Sequence, residues 1–305
     1  RDRDIAIPMG QMDAHDTTFR RTRGTESQSG RVFGMRRSRY AGIAAIFLAV
    51  IVAGCNSGRN EVAYVERPVE NLYNEAMDNL IEGQYDIAAL TFDEVERQHP
   101  YSIWATRAQL MTAFSHYQAN NFDDAIIAAQ RYIQLHPGSP DVSYAYYLIG
   151  VSYYEQIVDV GRDQQLTELA LGGLDEVTRR FPDSEYARDA RLKMDLTRDH
   201  LAGKEMEIGR YYQRRGEDLA ALNRFKQVIV DFQTTTHVAE ALHRLTESYL
   251  ALGLETEAQS TAAVLGFNYP GSDWYVDSYR LLRGQDLEPV EDEGSFISRT
   301  FRRVF

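Results

Sequence analysis

The chain has 305 residues, 44% hydrophobic and 26% charged, and its 45 Asp and Glu against 33 Lys and Arg give a net charge of −12. That acidity repels polyphosphate and argues against a nucleic-acid partner. A single cysteine, Cys55, allows no internal disulfide, and the length suits one large domain, two ordinary ones or a repeat array.

Residues 1–34 are polar, bear Gly, Ser, Thr and Arg, and show no apolar periodicity, so they read as an upstream or disordered extension with Met35 as the expected start. Residues 35–54 differ. Arg36, Arg37 and Arg39 precede an apolar run from Tyr40 to Gly54 that is shorter than the roughly 20 residues a bilayer crossing needs. Basic cluster, short apolar core and small residues are the order of an export signal. Val52-Ala53-Gly54-Cys55 resembles the lipobox of bacterial lipoproteins. That resemblance implies cleavage before Cys55, acylation of its thiol and of the new amino terminus, and attachment to a membrane through several acyl chains. Asn56, where an aspartate would retain such a protein at the inner membrane, implies the outer membrane. Loss of residues 1–54 removes nine arginines and five acidic residues and leaves a net charge of −16, so lipid rather than charge must anchor residues 55–68, the expected lipidated linker.

From residue 69 onward the chain repeats. Ala76 and Ala88 lie twenty-four and twelve residues before Pro100, with Phe92 eight before it; Ala113, Ala125 and Ala129 hold the same offsets from Pro137. These offsets match the tetratricopeptide pattern, a helix–turn–helix unit of about 34 residues. A third unit ends at Pro182 with Ala170 in phase, but its Gly150-Val-Ser-Tyr153 lies eight residues too far upstream, which an insertion around Asp159-Val-Gly-Arg-Asp-Gln164 accounts for. The fourth carries Gly209, Tyr212, Ala221, Phe225 and Val228, with Gln233 in the proline's place. The fifth ends at Pro270 with Tyr249, Ala258 and Ala262. The expectation is an all-α tetratricopeptide-repeat solenoid of about five helix pairs in two sub-bundles, 69–182 and 183–284, joined through an extra helical stretch from Ser184 to Leu201. No segment alternates as a strand would.

Chemistry-bearing constellations are missing. The histidines show no metal-site spacing; His237 and His243, six apart, read as surface or capping residues. Gly172-Gly173, between helical segments, reads as a kink or close helix contact, and Asp123-Asp124 as the acidic start of a helix. No catalytic residue, cofactor or metal is expected, and the protein is read as a non-enzyme.

Three stretches suit binding. Positions two, five, nine and twelve of the first helix in each unit line the inner face of such a solenoid; here they give Tyr73 and Met77, then Arg107, Leu110, Phe114 and Tyr117, then Tyr144, Tyr147 and Tyr154. Tyrosines join an apolar ring to a hydrogen-bonding tip and suit a groove for extended peptide; the alternative is that a closed superhelix uses them as core. Arg210, Arg214, Arg215 and Arg224 concentrate positive charge and favour an acidic partner, unless Glu205, Glu207 or Glu217 pair with them internally. In 285–305 an acidic linker precedes Ile297, Phe301, Val304 and Phe305 at helical spacing, which reads as a short amphipathic docking or interfacial helix or else a frayed tail.

With lipobox, five units and the segments Gly161-Arg-Asp-Gln164, Arg180-Phe-Pro-Asp-Ser-Glu-Tyr186 and Tyr211-Tyr212-Gln-Arg-Arg-Gly216 through Asn223-Arg224, the chain resembles the BamD family of lipoproteins of the outer-membrane β-barrel assembly machine, from Cys55 to Pro270. The resemblance implies a periplasm-facing scaffold at the outer membrane. Its C-terminal half would bind the POTRA region of a BamA-like barrel subunit, with Arg215 and Arg224 at the family's contact positions. Its N-terminal repeats would receive unfolded outer-membrane proteins, beside other Bam lipoproteins. Gln233 and the tail beyond Leu282 depart from the family pattern. The alternative is a periplasmic tetratricopeptide lipoprotein that coordinates cell-division or peptidoglycan complexes.

Overall fold

Two kinds of turn alternate along the chain and generate twelve helices, with no strand, among the described residues, 66–302 of a computed structural model. Five helix pairs come first: α1 (Val69–Ile81) with α2 (Tyr85–Gln98), α3 (Ile103–Gln118) with α4 (Phe122–Leu135), α5 (Val142–Tyr154) with α6 (Gln165–Arg180), α7 (Glu185–Arg214) with α8 (Asp218–Asp231), and α9 (Val238–Ala251) with α10 (Glu255–Asn268). Helices α11 (Asp273–Arg283) and α12 (Phe296–Phe301) follow. The expected export signal and Cys55, like Val304 and Phe305, lie outside the described residues.

Inside four of the pairs the turn is closed by a residue of positive φ: Gly83, Asn120, Gly216 and Gly253, at 78°, 61°, 71° and 71°. The next amide then reaches back five residues, as from Gln84 to the Asn79 carbonyl at 2.8 Å and from Glu217 to Tyr212 at 3.0 Å. This closure satisfies carbonyls that the helix end would leave bare, and glycine or asparagine accepts the left-handed backbone at least cost.

Between pairs the turn is of another kind. His99, His136, Phe181, Phe232 and Tyr269 each leave the helix at φ between −128° and −133° and ψ between 42° and 57°. Their carbonyls accept from the amides of Ser102, Ser139, Ser184, Thr235 and Ser272 at 3.0–3.1 Å. Four are followed by proline, which cannot continue a helix and bars α geometry from the residue before it. Phe232 takes the same geometry in front of Gln233, so the departure from the pattern there leaves the turn intact. The serine then caps the next helix, accepting from Trp104 N at 3.2 Å, Ala187 N at 3.2 Å and Trp274 N at 3.1 Å.

The in-phase small residues sit where paired helices touch: Ala76, Ala88, Ala113, Ala125, Ala129, Ala170, Ala221, Ala258 and Ala262 are all fully buried. Gly209 holds that place in the fourth pair, where an added Cβ would lie 2.4 Å from the buried Phe225 ring. In the third pair Gly150 meets Gly173, whose Cβ would stand 3.0 Å from the Gly150 Cα. Gly172 and Gly173 therefore lie inside α6 rather than between helical segments; Gly173 makes the close helix contact, while Gly172 faces open space. The eight-residue displacement of this unit is absorbed by the connection 155–164.

The extra helical stretch from Ser184 is continuous with the first helix of the fourth unit, giving the 30-residue α7 with Ser184 as its cap. Ala190 and Met194 of α7 pack in a core with Val151, Leu174 and Val177, whereas Ala202 and Met206 join the C-terminal core of Phe225, Ile229, Leu242 and Leu245. Two expectations are corrected in this C-terminal part. His243 is not a surface residue: it is 4% exposed, shares a 2.8 Å hydrogen bond with the Ser278 hydroxyl of α11, and lies against Trp274. His237 does stand at the start of α9, without capping it through its side chain. The tail helix α12 is no membrane-facing element, because Ile297 and Phe301 are buried in the C-terminal core. Asp292 N donates to Ser260 Oγ at 2.8 Å and tethers the acidic linker to α10.

An ionic cluster ties the end of α7 to α9. Arg210 spans both Glu240 oxygens at 3.0 Å, Gln213 donates to Glu247 at 3.0 Å, and Arg244 adds a 2.8 Å contact to Glu247. Burial alone would push Glu247 up, but hydrogen bonds and charge from His243 and Arg244 outweigh it and hold the carboxyl at about 2, below its ordinary 4.5.

Since the folded value is depressed, the stabilisation from Glu247 is complete above about pH 4.5 and is lost as pH falls toward about 2. Urea unfolding of wild type and Glu247→Gln is expected to show a stability gap at pH 7 that closes across that window. The two close glycine sites give a second prediction. Gly209→Ala forces the Phe225 ring aside and is expected to cost about 1–3 kcal/mol, whereas Gly172→Ala, in a helix interior facing open space, is expected to add up to about 1 kcal/mol; chemical denaturation of both variants reads the difference.

Candidate protein-binding sites

The aromatic residues expected on the inner face form two clusters. In the first, Tyr73 packs against Phe92 at 5.4 Å and Trp104 at 4.8 Å between ring centroids, with the exposed Arg107 guanidinium 5.8 Å from the Trp104 ring. Met77 lies half-buried beside them. In the second, Tyr144 touches Phe114 at 6.3 Å, Tyr147 at 6.4 Å and Tyr186 at 5.0 Å, while Tyr147 stacks on Tyr186 at 5.3 Å. Tyr117 and Tyr154 border this group, Tyr117 with its hydroxyl 3.5 Å from Glu155 and Tyr154 under the Lys193 ammonium at 5.3 Å. Leu110 does not line a groove: at 8% exposure it belongs to the core behind.

Burial raises Tyr73, Tyr117, Tyr144 and Tyr147 above the usual phenol range, and Asp189, which accepts the Tyr147 hydroxyl, raises Tyr147 further. These hydroxyls stay protonated, and those of Tyr117 and Tyr147 donate to Glu155 and Asp189. Trp104 and Tyr186 were not among the expected groove residues. Both stand four residues after a unit-ending proline, as does Trp274, and that register is the signal that marks them.

The four arginines point to different places. Arg210 is engaged with Glu240 of α9. Arg214 is exposed in the last turn of α7, and Arg215 at its C-cap contacts Glu217 at 3.1 Å and the Tyr211 hydroxyl at 2.8 Å. Arg224, on α8, reaches Glu205 of α7 at 3.2 Å. Internal pairing is thus realised with Glu205 and Glu217, yet the Arg215 and Arg224 side chains stay 57% and 44% exposed, enough to meet a partner. Arg224 also opens on a cleft of about 710 Å³ between the 155–164 connection, α7 and α8, with Leu201, Ile208 and Phe232 among its apolar lining.

Among the described residues no three His, Cys, Asp or Glu side chains are placed to hold a metal ion, and no helix is long and apolar enough to cross a membrane.

Residues 65–265, which contain both aromatic clusters and the arginine segment, match the family model described as "Outer membrane lipoprotein". The outer membrane protein assembly factor BamD of Caulobacter vibrioides is 53% identical over 250 residues, covering 81% of this chain and 82% of that protein. The BamD of Rickettsia prowazekii is 43% identical over 240 residues, covering 79% and 95%. The BamD of Neisseria meningitidis serogroup A is 35% identical over 222 residues, covering 70% and 83%. The family model and these relatives agree: the chain belongs to the BamD family of outer membrane lipoproteins.

Proposed function

We propose that the chain is a lipid-anchored scaffold of outer-membrane protein assembly, facing the periplasm and carrying no catalysis. Its C-terminal half binds the POTRA region of a BamA-like barrel subunit, its N-terminal repeats receive extended segments of unfolded β-barrel proteins, and other Bam lipoproteins share the complex. The observation that carries this reading is the 53% identity to a BamD protein across both candidate surfaces. Two features support the division of labour. The tyrosines of the two clusters lie on α1, α3, α5 and α7, where an extended chain would find half-buried aromatic faces together. Arg224 and Arg215 lie on α8 and at the α7–α8 turn, exposed and charged. Binding substrate and barrel subunit to one scaffold raises the effective concentration of one at the other.

Arg224→Glu reverses the charge beside Glu205 and is expected to weaken binding of the barrel subunit by about tenfold or more. Arg224→Ala, which avoids setting two carboxylates together, keeps the test independent of folding; unchanged affinity in both variants, with native circular dichroism, discards the contact. For the anchor, mass spectrometry of the N-terminal peptide from isolated envelopes is expected to find acylated Cys55. An unmodified thiol there would remove the lipid placement.

A further inference from the structure

The connection between α5 and α6 runs over ten residues, 155–164, where the other four pairs use three. An insertion of this length is ordinarily a solvated loop with little fixed structure. This one is tied down along its backbone. Gln164 Nε2 donates to the Val160 carbonyl at 3.3 Å and the Arg162 carbonyl at 3.0 Å, and its Oε1 accepts the Thr167 hydroxyl at 3.0 Å. Asp159 Oδ1 accepts from Gly161 N at 2.8 Å. The Gly161 carbonyl accepts from Lys204 Nζ of α7 at 3.0 Å, a clasp between segments 43 residues apart. Three successive carbonyls are thus held by side chains, and the exposed Arg162 side chain is left for the surface.

Arg162 and Arg224 line the same cleft of about 710 Å³, from opposite elements. Arg224 contacts Glu205 through Nη1, which leaves most of a guanidinium's five donors for a second carboxylate. Asp163, Glu168, Glu205 and Asp231 on the same lining, the third of them already paired with Arg224, make the cleft mixed in sign, while Leu201, Ile208 and Phe232 supply apolar contact area.

We propose that the 155–164 insertion is the second wall of the docking surface whose first wall carries Arg224, and that the two receive one polar loop of the barrel subunit's periplasmic region. That loop presents carboxylates to Arg162 and Arg224 and a flanking cation to Asp231. The proposal rests on the docking function given above. Lys204 is a positioning residue: it fixes the wall and does not itself meet the partner. Because the insertion is ordered before contact, binding does not bear the entropy of arranging it.

The test measures affinity between the full-length, detergent-purified chain and the intact barrel subunit at two ionic strengths. Arg162→Glu and Lys204→Met are each expected to weaken binding about fivefold to tenfold, Arg162→Glu with a flatter salt dependence. Lys204→Arg, whose guanidinium can still donate to the Gly161 carbonyl, is expected to restore it. Arg162 is exposed, so its variant stays informative even if Lys204→Met loosens the fold. Wild-type affinity in Arg162→Glu and Lys204→Met, alongside a loss in Arg224→Glu, overturns the second wall and leaves the docking function standing. Wild-type affinity in Arg224→Glu as well overturns the docking function and the proposal together.

Discussion

One hydrogen bond, made five times, spaces the units: the carbonyl of the residue that ends each second helix accepts from the amide three residues on. It is the closure of a β-turn, and in three of the five it brings a serine, Ser102, Ser184 or Ser272, to the N-cap of the next helix. Proline at the second position of that turn pre-sets the backbone angle but does not create the geometry, since Phe232 before Gln233 shows the same dihedrals as Tyr269 before Pro270. The other turn, closed by a left-handed residue, lets each pair fold back on itself. With both turns fixed, alanine at the crossings decides how near the two axes come, and the cores follow from that distance.

The aromatic clusters are by-products of the same spacing. Four places beyond Pro100, Pro182 and Pro270 lies the first turn of the following helix, and there Trp104 and Tyr186 meet the tyrosines of neighbouring first helices. The third unit breaks the rule for its inner turn, and the break falls beside the seam of α7 and α8 where Arg224 projects. Irregularity and exposed charge therefore coincide at one place in an otherwise regular stack.

Much of the fold was legible because its signal is local. Ala88 twelve residues before Pro100, or Ala258 twelve before Pro270, records a contact made within one unit, and a single chain segment displays it. What depended on distant partners was not legible. His243 is buried because Ser278 offers a hydroxyl 35 residues away, and Arg210 turns inward because Glu240 lies 30 residues on. Helical spacing assigned Ile297 and Phe301 to one face correctly, yet it could not say that α10 would cover that face. Repeat positions alone put Leu110 beside the tyrosines, whereas it is buried in the core behind them.

Helix α7 takes part in both the third-unit core and the C-terminal core without a break at either proline or glycine hinge. At 1.5 Å per residue its 30 residues make a rod of about 45 Å. A continuous helix bends elastically and gently rather than swinging about a joint. The rod therefore fixes the span between Tyr186 in its first turn and Arg214 in its last, with no joint between the two ends to change it.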